Sequence, residues 1–340
     1  MRIAQIATLD TPVRAEHSGS IEQHVWLLDR ELTRLGHEVT VFAAAGSSVS
    51  GRLVETLPGT YAEDGVFEDW RLCEWVNICR ALELSAEFDI IHSHGYLFGI
   101  PLELLSKAPL IHTLHVTPYD EQMRIWSMRP DAWVTAISTF QWNSYPNLKP
   151  CGVIPHGIDP EQFSFCADPE EYLCYLGRFI PDKGVLAAIS VARVNGIPLK
   201  LAGPRNDYFT ETIEPLVDGD QVQYVGAVTG AERNRFLGNA IALLYPVEVP
   251  EPFGLVQIEA MMCGTPVVAN RLGAVAEIID EGITGFSTGV REELATLIPK
   301  ARSLDRSLVR KQALARFSVE RMTAQYVEIY TRRIAAVRRL

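Results

Sequence analysis

The chain has 340 residues, more than one hydrophobic core ordinarily supports, so two domains of about 150 to 180 residues are expected. With 47% hydrophobic and 21% charged residues it has an ordinary globular composition, which excludes a disordered chain. A formal net charge of -11 argues against non-specific nucleic-acid binding, which needs clustered Lys and Arg, and no apolar run reaches the length of a membrane span. The start, Met1-Arg2-Ile3-Ala4, enters a strand pattern with no signal-peptide features, and Cys73, Cys79, Cys151, Cys166, Cys174 and Cys263 show neither a C-x-x-C pair nor zinc-type spacing with His. Free thiols, a cytoplasmic location and no structural metal are the expectation.

In chain order, Arg2 to Leu9 reads as a strand, Asp10 to Gly19 as a loop, and Ile21 to Leu35 as a helix with Val25, Leu28, Leu32 and Leu35 on one face, ended by Gly36. Ser20 and Gln23 have capping-box spacing, and Glu38 to Ala44 is the next strand, which makes a βαβ unit whose phosphate-facing turn is Gly19-Ser20. G-x-G-x-x-G is absent, which counts against NAD. Residues 60 to 84 are acidic and aromatic, with Glu63, Asp64, Glu68, Asp69, Trp70, Glu74 and Trp75, and read as a solvated helix. Strands at Asp89 to His92 and Leu110 to Leu114 continue the alternation of a parallel sheet and place His92, His94, His112 and His115 at strand C-ends, where ligands collect. His92 and His94 share a strand face, but no Asp, Glu or Cys completes a metal set, so packing or supporting roles are expected for both. Ala132 to Ile137 is a strand followed by the helix cap Ser138, and the Pro- and Gly-bearing stretch Val153 to Asp159 is the natural boundary. The domains are therefore expected at 1–160 and 161–318, with a terminal helix at 319–340.

The second half opens with a strand at Tyr172 to Leu176, the loop Gly177 to Gly184 and a helix at Val185 to Val194. Lys183 precedes Gly184, so this is no Walker A loop. Arg178 and Lys183 lie at a helix N-terminus, where the dipole disfavours cations; Asp182 neutralises one of them, or a bound anion resolves the conflict for both. A strand at Leu199 to Ala202, the turn Gly203-Pro204-Arg205, a helix near Tyr208 to Leu216, a strand at Val222 to Val225, a helix at Ala231 to Gly238 and a strand at Ile241 to Tyr245 follow. Next comes Glu251-Pro-Phe-Gly-Leu-Val-Gln-Ile-Glu259. A helix starting near Gly254 places Leu255, Ile258 and Met262 on one stripe with Glu259 in its middle, leaning back toward Glu251, Phe253 and Gly254. Two acids then flank a helix N-terminus, itself an anion site. Thr265 to Ala269 is another strand, and helical patterns fill 290 to 338, the last bearing Arg332, Arg333, Arg338 and Arg339.

The spacing of Glu251 and Glu259 around Phe253-Gly254-Leu255 resembles the signature of the family 4 retaining glycosyltransferases, whose fold is the GT-B type, two Rossmann-like domains facing across a cleft. Other segments match in the same order. His115 in His-Thr-Leu-His resembles a family His that contacts the donor sugar, and Val153 to Asp159 resembles the Ile-Pro-Asn-Gly-Ile-Asp linker, with His156 in place of Asn. Gly19-Ser20-Ile21-Glu22 departs from the family's Gly-Gly turn, and Ala274 stands after Gly273 where a second Gly is common. The resemblance implies transfer of a hexosyl group from a nucleoside-diphosphate sugar, UDP favoured, to an acceptor hydroxyl with retention. It assigns the diphosphate to Arg178 and Lys183, the sugar to His115 and Glu251, the ribose to Glu259, and further substrate contacts to Gly19, Ser20, Arg205, Phe253, Gly254 and Leu255. No metal and no cofactor are implied, and Trp70 and Trp75 are expected to shape the acceptor site. A sugar-nucleotide 2-epimerase and a non-catalytic nucleotide-sugar sensor are the alternatives. The terminal helix either packs back on the first domain or makes a peripheral membrane contact.

Overall fold

The computed structural model describes residues 1–16, 19–62, 68–144 and 151–337. Glu63, Asp64, Arg338 and Arg339 lie outside the described residues. The chain divides into two compact units, one of Met1–Gly157 with Val319–Leu340, the other of Ile158–Ser318. The division thus falls at Gly157 and Ile158, within the stretch from Val153 to Asp159.

The first unit is built on a sheet of β1 (Arg2–Ile6), β2 (Glu38–Ala44), β3 (Arg52–Leu57), β4 (Ile90–Ser93), β5 (Leu110–Leu114), β6 (Val134–Ala136) and β7 (Gly152–Val153), in the order β3-β2-β1-β4-β5-β6-β7, every pair parallel. Strands covered on both faces read as apolar runs rather than alternations, as β2 does with only Glu38 exposed. Helix Ser20–Arg34 buries Val25, Leu28 and Leu32 in the same core as Met322, Tyr326, Ile329 and Tyr330 of the terminal helix Val319–Val337. The tyrosines also find polar partners: Nδ1 of His92 is 2.8 Å from the Tyr330 hydroxyl, and Oγ1 of Thr113 is 3.1 Å from that of Tyr326. The end of the chain is therefore an integral layer of the first unit. No helix among the described residues is long and apolar enough to cross a membrane.

The second unit carries β8 (Leu173–Leu176), β9 (Leu199–Ala202), β10 (Val222–Gly226), β11 (Ala242–Tyr245), β12 (Val267–Asn270) and β13 (Gly285–Thr288), ordered β10-β9-β8-β11-β12-β13 and parallel throughout. Leu173, Leu201, Val185, Ile189 and Phe209 lie in its core.

Each sheet has one place where the strand order reverses, between β1 and β4 in the first unit and between β8 and β11 in the second. Loops leaving adjacent strands diverge there and open a crevice at the strand C-ends.

The structure departs from the sequence reading at several points. β3, β7 and β13 carry no strand signal in the sequence: all three are edge strands, the runs Arg-Leu-Val-Glu-Thr-Leu and Gly-Phe-Ser-Thr are too polar to register as buried strands, and β7 has two residues. The capping box at Ser20 does not form, because the helix already begins at Ser20 and Gly19 is its cap. The segment near Tyr208 is a single π turn, Phe209–Ile213, followed by a 3-10 turn around Pro215, which has no N–H to continue a helical ladder.

Candidate active site

In the second unit, the loops after β8 and β11 meet at the reversal point. The amide of Glu248 donates to the Asp182 carbonyl at 2.8 Å, and the Gly184 Cα faces the Pro246 carbonyl, so the two loops are clamped together. Clamping delivers Lys183 to Glu251: Nζ pairs with Oε1, while the Tyr245 hydroxyl donates to Oε2. Burial, then the Glu251 charge, raises the Tyr245 hydroxyl well above its ordinary pKa, so it stays a donor. The partner of Lys183 is therefore Glu251, not the neighbouring Asp182. Glu251 is also held from behind, its carbonyl accepting the Ala274 amide at 2.9 Å with Gly273 against its backbone.

Arg178 is exposed, and its guanidinium makes no hydrogen bond or ion pair among the described residues. It stands just after β8, ahead of the N-terminus of helix Val185–Asn195, where the Ala187 amide already donates to the Gly184 carbonyl at 2.9 Å and the helix dipole favours an anion. Gly254 caps helix Leu255–Met262 in the left-handed region, with the Tyr245 hydroxyl close to its Cα. Glu259, from the same helix, is buried; Oε1 pairs with Arg233, and Oε2 is buried without a partner. The two acids thus have separate cations. The remaining predicted residues diverge. Phe253 is buried against Phe317, ring centroids 6.1 Å apart, which leaves its backbone rather than its ring for a ligand. Leu255 is half-buried at the helix start. Arg205 pairs with Glu214 and lies over the Phe209 ring at 5.1 Å, so its charge is already engaged. A cavity of about 410 Å³ lined by Ile241, Pro266 and Arg306 lies at the opposite, N-terminal ends of these strands, away from these groups.

In the first unit, a second set gathers at the reversal between β1 and β4. Gly19 lies beneath Glu22, whose Oε1 accepts from Thr8 Oγ1 at 2.6 Å, and the Gly19 amide donates to Thr11 Oγ1. Burial raises the Glu22 carboxyl, and it raises that of Glu74 to about 8; Glu74 accepts from the Leu9 amide at 2.9 Å and the Tyr61 hydroxyl at 3.2 Å. A carboxyl over the Gly19-Ser20 turn suits a hydroxyl better than the phosphate read from the sequence, since hydroxyls can donate to it. Trp70 packs within 6.0 Å of Tyr61 and 5.2 Å of Tyr96, whereas Trp75 is 53% exposed, so only Trp70 belongs to this wall.

His115 is buried at the end of β5 in a cluster. Its Nε2 is 2.9 Å from Nδ1 of His94, and Nδ1 of His24 is 3.0 Å from Nδ1 of His156. His92 packs against the same cluster, its ring centroid 4.0 Å from that of His94, with Nε2 at 2.6 Å from Thr113 Oγ1, the packing role expected of it. Burial holds His24, His92, His94 and His115 well below their ordinary pKa, and pulls His156 down to about 4. Because unfolded His156 titrates near 6.5 and the folded side chain near 4, the unfolded chain takes up the proton first as pH falls. The contribution of neutral His156 is complete above pH 6.5 and is lost between 6.5 and 4. Urea unfolding of wild type and His156→Asn is expected to show their stability difference moving by about 2 kcal/mol in favour of the variant from pH 7 to pH 5. A pH-independent difference would contradict a neutral buried imidazole.

Sequence reasoning missed Tyr245, Arg233, Glu74 and His24. Tyr245 carried a signal, since a Tyr ending a buried strand needs a partner for its hydroxyl. Arg233 reaches Glu259 through the packing of two helices, and Glu74 reaches Leu9 and Tyr61 in the loops after β1 and β3, contacts that lie far apart in the chain.

Two family models match nearly end to end: one described as glycosyltransferase family 4 over residues 21–162, the other as glycosyl transferases group 1 over residues 161–311. The glycogen synthase of Mycobacterium tuberculosis (strain CDC 1551 / Oshkosh) is 26% identical over 383 residues, covering 96% of this chain and 91% of that one. Among solved structures, the sucrose-phosphate synthase of Thermosynechococcus elongatus superposes with a TM-score of 0.82 at 22% identity, covering 98% of this chain and 99% of that one. Anabaena HepE in complex with UDP-glucose gives 0.73 at 20% identity, covering 97% and 99%. These last two likenesses concern the fold. Two parallel sheets, each with its polar groups at the reversal point, and two family matches that together run from residue 21 to 311 lead to one conclusion: the chain belongs to the family 4 glycosyltransferases and has their GT-B fold.

Proposed function

We propose that the second unit binds a nucleoside-diphosphate sugar, a UDP-sugar by preference, and that the enzyme transfers its hexosyl group to an acceptor hydroxyl with retention and without a metal at the diphosphate. The observation that carries this reading is Arg178, a cation with no partner among the described residues at the reversal point and the start of a helix. An anion is what such a place lacks. Lys183 stands beside it, and a diphosphate would share Lys183 with Glu251. Buried Oε2 of Glu259 has no donor, and ribose hydroxyls supply donors. The bound UDP-glucose of HepE supports the choice of nucleotide. In the first unit, His115 is the group assigned to a sugar, and the Gly19-Ser20 turn with Glu22 is assigned to the acceptor's hydroxyl. Neutral His115 is a poor place for a permanent charge, and the departing diphosphate takes the acceptor proton while Arg178 and Lys183 hold it.

Attack then comes on the face the leaving group vacates. Proton NMR of fresh product from an α-linked donor is expected to show the small anomeric coupling of an α-linkage; a β-anomer would sink the mechanism. Donor incubated alone separates this reading from an epimerase, which would interconvert the sugars, and from a sensor, which would leave the donor intact. EDTA is expected not to lower turnover. Glu259→Gln removes the charge that holds Arg233 and accepts the ribose hydroxyls, and is expected to weaken nucleoside-diphosphate binding roughly tenfold by calorimetry, one charged hydrogen bond's worth. An unchanged dissociation constant would remove Glu259 from the donor site.

A further inference from the structure

Ring nitrogens of His24, His94 and His115, one from each, lie within 4.8 Å of one another, and all three side chains are buried. They come from three separate elements: His24 from helix Ser20–Arg34, His94 from the residue after β4, His115 from the residue after β5. Two hydrogen bonds join this group, His94 to His115 and His24 to His156. A bond between two neutral imidazoles consumes one N–H and one lone pair, so each such pair leaves one more of each unsatisfied. Nε2 of His24, Nε2 of His94 and Nδ1 of His115 are in fact buried with no partner among the described residues. Water-excluded, unpaired nitrogens are costly. Protonation is no remedy, because burial and the other histidines are what act on His24, and both disfavour the imidazolium. Neutral imidazoles with spare lone pairs are the form that binds metals.

We infer that His24, His94 and His115 form a transition-metal site of the Zn²⁺ class that inhibits transfer when filled. Zn–N bonds of about 2.1 Å at tetrahedral angles place ligand nitrogens roughly 3.4 Å apart. Nδ1 of His94 and Nε2 of His115 start 2.9 Å apart, so an ion taking the place of their shared proton needs a modest opening of that pair and leaves the ring protons on the outer nitrogens, Nε2 of His94 and Nδ1 of His115, while His24 brings its unpartnered Nε2. The tautomer of His24 with its proton on Nδ1 donates to His156 and leaves Nε2 bare, which makes His156 the group that orients a ligand from behind. An all-imidazole donor set, with no carboxylate in it, disfavours Mg²⁺ and Ca²⁺. Three protein ligands also leave a coordination position open. Inhibition rests on the proposed contact of His115 with the sugar, because a ligated His115 loses a ring nitrogen; the binding itself does not rest on it.

The test uses the full chain, tag-free and dialysed against EDTA. Calorimetry with Zn²⁺ is expected to show one ion bound per chain and no heat with millimolar Mg²⁺, and Co²⁺ is expected to give the intense visible absorption of a tetrahedral nitrogen site. His24→Phe should abolish the Co²⁺ spectrum, and His156→Asn, which keeps all three ligands, should weaken Zn²⁺ roughly tenfold or more. Circular dichroism checks that both variants fold, and the wild-type titration decides the site even if neither does. Absence of Zn²⁺ binding to wild type, or undiminished binding to folded His24→Phe, overturns the site. Zn²⁺ is then expected to suppress transfer reversibly by EDTA; tight binding with full turnover would overturn the inhibition and leave the site standing, whereas failure of transfer without any metal would fault the proposed activity instead.

Discussion

An Arg178→Ala enzyme is expected to keep its stability and lose roughly two to three orders of magnitude in turnover. The magnitude is that of one preorganised donor removed from charge developing in the transition state, about 3 kcal/mol. The first half of the expectation comes from the structure: Arg178 is exposed and has no partner among the described residues, so truncating it breaks nothing in the free protein. Lys183→Ala makes the useful contrast. Its loss leaves Glu251 with Tyr245 alone, so that variant is expected to lose both turnover and stability. Steady-state kinetics and thermal melts on the two variants check this together. Wild-type turnover in Arg178→Ala would remove the leaving-group role, and a large drop in its melting temperature would show that the side chain has a structural partner after all.

Gly184→Ala is expected to be among the most destabilising single-methyl changes in the second unit. Gly184 has φ +68, where an L side chain costs roughly 1–2 kcal/mol, and a Cβ there would run into the carbonyl of Pro246. Backbone cannot rotate away as a side chain can, so the clash adds a strain of about 1–3 kcal/mol. Gly196 supplies the control, since its φ of +64 is nearly the same but nothing lies within 4 Å of a Cβ. Gly196→Ala should therefore show the conformational cost alone, and the difference between the two variants measures the clash. Relief of that clash separates the two clamped loops and draws Lys183 from Glu251, so donor binding should weaken along with stability. Equal melting temperatures for the two variants would mean that the loops are not held as described.

Much of the polar group at the second unit's reversal point was legible in the sequence for a local reason. Arg178, Lys183 and Gly184 lie within one strand-loop-helix, and Glu251, Gly254 and Glu259 within another, so helical period and the chemistry of a helix N-terminus suffice to nominate them. What periodicity does not contain is which cation each acid takes. Asp182 was the nearest acid to Lys183 along the chain, yet Lys183 pairs with Glu251, because β8 and β11 are neighbours in the sheet although 65 residues separate Leu176 from Ala242. Glu259 likewise takes Arg233 from a different helix. Edge strands β3 and β13 leave no such mark, because one open side lets polar residues replace the apolar run of a central strand.

The histidines show the same division most sharply. Their types, and their places at the ends of strands, are written in the chain: His94 and His115 follow apolar runs that any reading would make parallel strands. His24 sits on a helix 70 residues before His94, and His156 stands in the boundary stretch as an apparent local departure. By itself the sequence determined the alternation of strands and helices and nominated the polar residues of the loops after β8 and β11, since each depends on patterns within one turn or one strand. Only the tertiary structure decided that five histidines share one buried cluster, that Tyr245 grips Glu251 and that the final helix completes the first unit. Those contacts are set by strand order, and strand order is chosen by packing among residues far apart in the chain, which no local pattern records.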